Sequence, residues 1–225
     1  APQRNPHPDP AASLPTPTNI AAIDSDAELA PESPRSGLHA LAQRPYLRNL
    51  AALILLGTIG ATLADYVFKL YAVETFGRGE TLLRFFAAYY AATSVLAFAV
   101  QATIGRAAPE RLGLALTTST PNVALLAGGL VAMVFPGFGS VLAARGGESV
   151  FRGSLFRTGY EIFYTPVRAG EKRAAKSIID VGFDRLGDAL GAGLISLVIL
   201  LPLALQYNAM LTLAVISSAL ALLVG

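Results

Sequence analysis

Three groups of ionisable residues interrupt long apolar runs in this chain, and their spacing limits the chemistry open to them. Asp65 and Lys69, in LADYVFKLY, stand four residues apart on one helical face, acid before base. That is the better orientation for an i,i+4 ion pair. Either the two neutralise one another, or each meets a group on a bound solute. Lys69 could also snorkel toward an interface. The segment GGESVFRGSLFRTGYEIFYTP holds two further i,i+4 pairs, Glu148–Arg152 and Arg157–Glu161, with Gly153 between them. The pairs point to different sides of an ideal helix, so that helix needs polar surroundings on more than one side. A water-filled passage would meet this demand, and guanidinium groups bind phosphate and similar anions in a bidentate manner. In SIIDVGFDRLGDALGAG, Asp180, Asp184 and Asp188 share a slowly drifting stripe with Arg185 close by. Three carboxylates on one stripe repel unless bases or protons intervene, and Arg152, Arg157, Arg168 and Arg185 are the candidate bases. The stripe is either a structural charge lattice or part of a proton- or substrate-coupling path.

These groups need elements that hold them at depth. The 225 residues are 53% hydrophobic and only 14% charged, with a mean hydropathy of +0.53. An average soluble domain carries about 25% charge, so the composition argues for a membrane protein and against a soluble enzyme. Six apolar stretches lie beyond residue 46: Leu47–Tyr71, Leu82–Ile104, Leu112–Phe135, Gly147–Thr165, Ala174–Leu201 and Ala209–Gly225. A bilayer core needs about 20 residues of helix, and backbone groups in lipid must pair within their own segment. The expected fold is therefore all-α, an integral six-helix bundle over residues 46–225. Pro136-Gly137, Pro202 and Asn208 punctuate the runs, and Pro121 suggests a kink or a helix end. Gly187-x-x-x-Gly191, and Gly57 with Gly60–Ala61, would let helices approach closely. Each charge near a helix centre costs roughly 2.5–3.5 kcal/mol, a cost this sequence meets repeatedly.

Residues 1–45 have a different character, holding 9 of the 14 prolines and 5 acidic against 3 basic residues. Such a segment cannot bury enough apolar surface to order itself, and it reads as a Pro-rich linker or tail. Loop charges orient the bundle. Arg44 and Arg48, Arg106 and Arg111, then Arg168, Lys172, Arg173 and Lys176 fall on the linker side, whereas Arg78 lies in an opposite loop. The positive-inside rule then puts the linker and the basic loops in the cytoplasm, with the bundle in the inner (cytoplasmic) membrane. The chain starts at Ala1 and ends at Gly225 directly after an apolar run, as expected of an excerpt from a longer protein.

Several function classes are excluded. The absence of cysteine rules out disulfide scaffolds, thiol catalysis and cysteine zinc sites. Both histidines, His7 and His39, lie in the polar stretch, so no base accompanies the many Ser and Thr residues. Gly77-Arg78-Gly79 falls in a short loop and is no phosphate loop. No basic patch interleaved with aromatics suggests nucleic acid. Neither cofactor nor metal is expected.

The stretch SLFRTGYEIFYTPVRAGEKRAAKSIIDVGFDRLGDALGAG, residues 154–193, carries a more specific pattern. It resembles the penultimate helical hairpin of the ATP/ADP translocase family of nucleotide transporters. The shared features are S-L-F, the acid Glu161, the Tyr164-x-Pro166 turn, basic Lys176, I-D at Ile179–Asp180 and L-G at Leu186–Gly187. Asp65, Phe68 and Lys69 are similar to the acid, aromatic and lysine of that family's seventh helix. There are departures: Asp188 stands where the exchangers carry a lysine, a lysine near Tyr160 is absent, and Asp65 replaces Glu. The likeness is therefore greatest to bacterial homologues of unassigned substrate. It implies the C-terminal half of a twelve-helix, major-facilitator-type carrier that moves an anionic, nucleotide-like solute by alternating access, with the N-terminal six-helix half and the lipid bilayer as partners. In that expectation Lys69, Arg152, Arg157 and Arg185 offer positive charge to the solute. Asp65, Glu161, Asp184 and Asp188 share the binding region, completing gating pairs or carrying a proton. Glu148, Asp180, Arg168, Lys172, Arg173 and Lys176 form gating ion pairs. The alternative is a non-transporting membrane sensor or scaffold with the same fold.

Overall fold

Pro45 occupies the start of the first long helix, α1 (Pro45–Phe76), where its missing N–H costs nothing and its fixed φ suits the helix. Gly77 (φ 69°) and Gly79 (φ 134°) then turn the chain through backbone conformations that only glycine adopts readily. This short turn contains the Gly-Arg-Gly sequence and leads into α2 (Glu80–Ile104). A short α3 (Ala107–Leu112) and a further positive-φ glycine, Gly113, precede α4 (Leu114–Val134). The computed structural model describes residues 41–165 and 169–225; the expected Pro-rich linker up to residue 40, and Arg168, lie outside the described residues.

Pro136-Gly137 separates α4 from a continuous helical rod over residues 138–163. The rod comprises α5 (Phe138–Phe151), a π-helical turn at Arg152–Phe156 and α6 (Arg157–Phe163). A second rod has the same plan: α7 (Ala169–Ser177), a π-helical turn at Ile178–Phe183 and α8 (Asp184–Val198). The final helix α9 (Leu203–Val224) begins directly after Pro202. Asn208 therefore lies inside α9 and does not interrupt it. Pro121 likewise lies within α4 and neither starts nor ends it. A proline there removes the amide that would bond to the Thr117 carbonyl, and the Thr120 hydroxyl donates to that carbonyl at 2.8 Å instead.

The described residues are helical and contain no strand, and four helices are long and apolar enough to cross a membrane: α1, α2, α4 and α9. The two interrupted rods carry most of the buried charge. Helix α1 is central, packed against α9, α8, α5 and α4. Of its most apolar stretch 61% is buried inside the protein, against 11% for the peripheral α2. Leu83, Val95, Leu96 and Phe98 of α2 point outward, a surface suited to lipid.

Two apolar cores form along α1. One gathers Leu47, Leu50, Leu53 and Ile54 with Tyr160, Tyr164 and Ile179. The other gathers Leu63, Val67 and Phe68 with Leu125, Met210 and Leu211. Fully buried Phe68 packs against Phe85, Phe86, Tyr89 and Phe138, tying α2 and α5 to α1. Between the two cores α1 offers small and hydroxyl-bearing residues: Gly57, Thr58, Gly60, Ala61 and Thr62.

Helices approach closely along this middle segment, as the glycine spacing leads one to expect. A Cβ on Gly187 would stand 2.8 Å from Thr58 Cβ and 2.9 Å from the Leu55 carbonyl oxygen, and one on Gly191 would stand 2.9 Å from Thr62 Cβ. Gly57 abuts Asn122 of α4, and Gly60 abuts Ser218 and Ala214 of α9. Gly187→Ala is expected to destabilise the protein by about 1–3 kcal/mol through overpacking. Gly193→Ala, where a Cβ meets open space, is expected to stabilise it by about 0.5–1 kcal/mol through helix propensity. Thermal unfolding of the purified protein in detergent checks the opposite signs.

Candidate functional site

The polar middle of α1 faces the first rod on one side and α8 on the other. A chain of five charges links the first two. Lys69 Nζ lies 2.6 Å from Asp65 Oδ2, and Arg145 Nε donates to Asp65 Oδ1 at 3.0 Å. Arg145 also donates to Glu148 and to the Ser149 hydroxyl (2.7 Å), and Glu148 receives Arg152 Nε at 2.5 Å. Arg152 reaches across to the Gly57 carbonyl oxygen of α1 at 3.2 Å. Glu148 is 1% exposed, so its charge is tolerable only because two guanidinium groups hold it. The expected pairs Asp65–Lys69 and Glu148–Arg152 are both present.

Arg145, which joins them, is not among the residues singled out from the sequence. Gly146-Gly147 reads as the boundary of a stretch starting at Gly147, whereas the helix starts at Phe138 and runs through both glycines. The Tyr89 ring lies by Gly146 and Ala124 by Gly147, each at a distance where a Cβ would make ordinary van der Waals contact.

The expected Arg157–Glu161 pair is replaced by another. Glu161 takes Lys176 Nζ of α7 at 2.5 Å, linking the two rods near their connecting hairpin. Arg157 is exposed and makes no ion pair among the described residues. The π-helical turn just before it adds a residue to the helical turn and rotates the residues beyond it, which places Arg157 toward the cleft. Lys172 is half-buried and Arg173 exposed on α7.

Of the arginines expected beside the aspartate stripe, Arg185 meets Asp188, and the other contacts of the stripe come from hydroxyl donors. Tyr160 donates to Asp180, and the Tyr160 and Tyr164 hydroxyls are 2.7 Å apart. Thr58 donates to Asp184 at 2.7 Å and Thr62 to Asp188 at 3.0 Å. Arg185 is 3.7 Å from Asp188, with both side chains well exposed. The π-helical turn at Ile178–Phe183 divides the stripe: Asp180 turns to the first rod, Asp184 and Asp188 to α1. Threonines on an apolar helix at i and i+4 carry no sequence signature of this role, except that they match the spacing of the aspartates opposite.

Tyr160→Phe is expected to cost about 1–3 kcal/mol, because it orphans the fully buried Tyr164 hydroxyl as well as removing the donor to Asp180. Tyr164→Phe leaves the Asp180 contact and should cost less. Chemical unfolding of the two variants side by side checks the order.

Two cavities with shared wall residues open between these elements. The larger, about 490 Å³, is lined by Ile54, Arg145, Arg152, Phe156, Arg157, Tyr160, Asp180 and Asp184, among others. The smaller, about 310 Å³, is lined by Thr58, Thr62, Asp65, Arg145, Arg152, Asp184 and Asp188, with Ala61. Arg145, Arg152 and Asp184 belong to both. Of the expected solute-binding residues, Asp65, Arg152, Arg157, Asp184 and Asp188 converge here; Lys69, Glu161 and Arg185 do not line either cavity, and pair with Asp65, Lys176 and Asp188. Among the described residues no three acidic or histidine side chains converge as metal ligands. Comparison with protein-family models, with curated proteins and with solved structures found no match for this chain.

Proposed function

We propose that this chain is half of a membrane carrier that moves an anionic, nucleotide-like solute by alternating access. The observation that carries the reading is the 490 Å³ cavity walled by Arg145, Arg152 and Arg157 within a bundle of apolar helices. Charges are retained at such depth when they border an aqueous path or a partner. In this reading the two rods cross the membrane as well, giving six crossings, and their π-helical turns are the points where they flex; such turns recur at functional sites. The cleft faces a second six-helix half of major-facilitator type, and rocking of the halves exposes it to each side in turn. The linker and the basic hairpin with Lys172, Arg173 and Lys176 lie in the cytoplasm, in keeping with the charge bias of the loops. The Glu161–Lys176 bridge between the rods supports a gating role for that hairpin.

The second reading is a membrane sensor or scaffold with the carrier fold. Asp188 favours it, because an acid bound to Thr62 occupies the wall where the resembled exchangers carry a lysine. Uptake of labelled ADP and inorganic phosphate by liposomes containing the full-length protein separates the two. Uptake that disappears in Lys69→Ala and Arg157→Ala supports a carrier. Absence of flux, with ligand-dependent association of a soluble partner, supports a sensor.

A further inference from the structure

The cleft is not uniformly cationic, and its charges fall into two sets. Arg145 and Arg152 are engaged by Asp65 and Glu148 in a chain that also takes in Lys69, so its three cations against two acids leave one net positive charge. Arg157 on the first rod and Asp184 on α8 line the larger cavity with no ion-pair partner among the described residues. Asp180 lines it too, from within the second π-helical turn, and receives the Tyr160 hydroxyl. Asp184 also lines the smaller cavity, together with Asp188. Both of these carboxylates are oriented by threonine hydroxyls. A hydroxyl donates one hydrogen bond, whereas an ionised carboxylate has about four acceptor sites, and the hydroxyl brings no positive charge. Asp188 has Arg185 at 3.7 Å as a countercharge, whereas Asp184 has none among the described residues, and a carboxylate in such a wall is costly without one. Ile54 and Phe156 supply apolar lining in the same cavity.

The geometry points to an amphoteric solute: a small molecule with an anionic group for Arg157 and an ammonium-type cation for Asp184 and Asp188. This inference rests on the proposed reading of the cleft as a solute site and narrows it, since a solute that is only anionic would leave Asp184 unanswered. Thr58 and Thr62 act as positioning residues that fix the two carboxylates at one helical turn's separation. Gly187 and Gly191 bring α8 close enough to α1 for those hydrogen bonds.

The test compares phosphoethanolamine with ethyl phosphate, which carries the same anion without the ammonium, as ligands of the full-length protein in detergent by titration calorimetry. Phosphoethanolamine is expected to bind at least tenfold more tightly. Asp184→Asn keeps an acceptor for Thr58 and should erase that preference without weakening ethyl phosphate. Thr58→Val removes the hydroxyl and no charge, and should retain the preference. If Asp184→Asn fails to fold, Asp188→Asn reports the same loss. Equal affinity for the two phosphates, or a preference that survives in the aspartate variants, overturns the amphoteric solute and leaves an anion-binding cleft. Binding of neither phosphate overturns both readings.

Discussion

Glu148→Ala is expected to cost about 3–5 kcal/mol of folding stability, the largest single-residue effect outside the apolar cores. The carboxylate is 1% exposed and bridges Arg145 and Arg152, which are themselves only 18% and 31% exposed. Removing it leaves two cations facing one another at depth, with Asp65 as the remaining acid in the chain of charges. Glu148→Gln should cost less, since the amide oxygen still accepts a hydrogen bond although the charge is lost. A double-mutant cycle with Arg145→Ala gives the sharper reading. Removing Arg145 as well relieves part of the repulsion, so the pair should show a coupling energy of about 0.5–3 kcal/mol. Strict additivity in thermal or chemical unfolding would show that Glu148 is not held by Arg145 in solution.

Much of this network is legible in local spacing. Asp65–Lys69 and Glu148–Arg152 are i,i+4 pairs that need no knowledge of the fold, and both form. Gly187 and Gly191 announce a close helix approach, and α1 takes it. The features that stay hidden depend on groups far apart in sequence or on helical irregularity. Lys176 displaces Arg157 as the partner of Glu161 because the hairpin folds back on the first rod. The π-helical turns at Arg152–Phe156 and Ile178–Phe183 have no sequence pattern of their own, yet they decide which way Arg157 and Asp180 face. The reading of six crossings and the four helices that meet a length-and-apolarity criterion differ for the same reason. The two rods spend their apolar length on charged and glycine positions that serve the cleft.

The π-helical turns and the charges belong to one design. A regular helix through residues 148–161 would place Glu148, Arg152 and Arg157 by a fixed rotation. The extra residue breaks that periodicity just after Arg152 and rotates Arg157 relative to Glu148 and Arg152, while Glu161 is taken by Lys176 of the second rod. The same irregularity in the second rod separates Asp184 and Asp188 from Asp180. The backbone irregularity therefore leaves a cation on one side of the cleft and carboxylates on the other.

Arg157→Gln is the second large expected effect, and it falls on activity and not on stability. Arg157 is exposed and without an ion pair among the described residues, so its replacement should change folding stability by no more than about 0.5 kcal/mol. A charge-assisted hydrogen bond to a bound anion is worth about 1.5–3 kcal/mol, which corresponds to a loss of roughly ten- to hundredfold in solute affinity or uptake at low concentration. Arg157→Lys should recover part of the loss, because an ammonium keeps the charge and forfeits the bidentate fork. Arg84→Gln serves as the control: Arg84 pairs with Glu80 at 2.7 Å on the exposed start of α2, away from the cleft, and should leave uptake unchanged. An equal loss in both variants would mean that surface charge, and not the cavity, governs uptake. A loss confined to Arg157, with an unchanged melting temperature, ties the uncommitted guanidinium of the cavity wall to the solute, because no ion pair among the described residues depends on that charge.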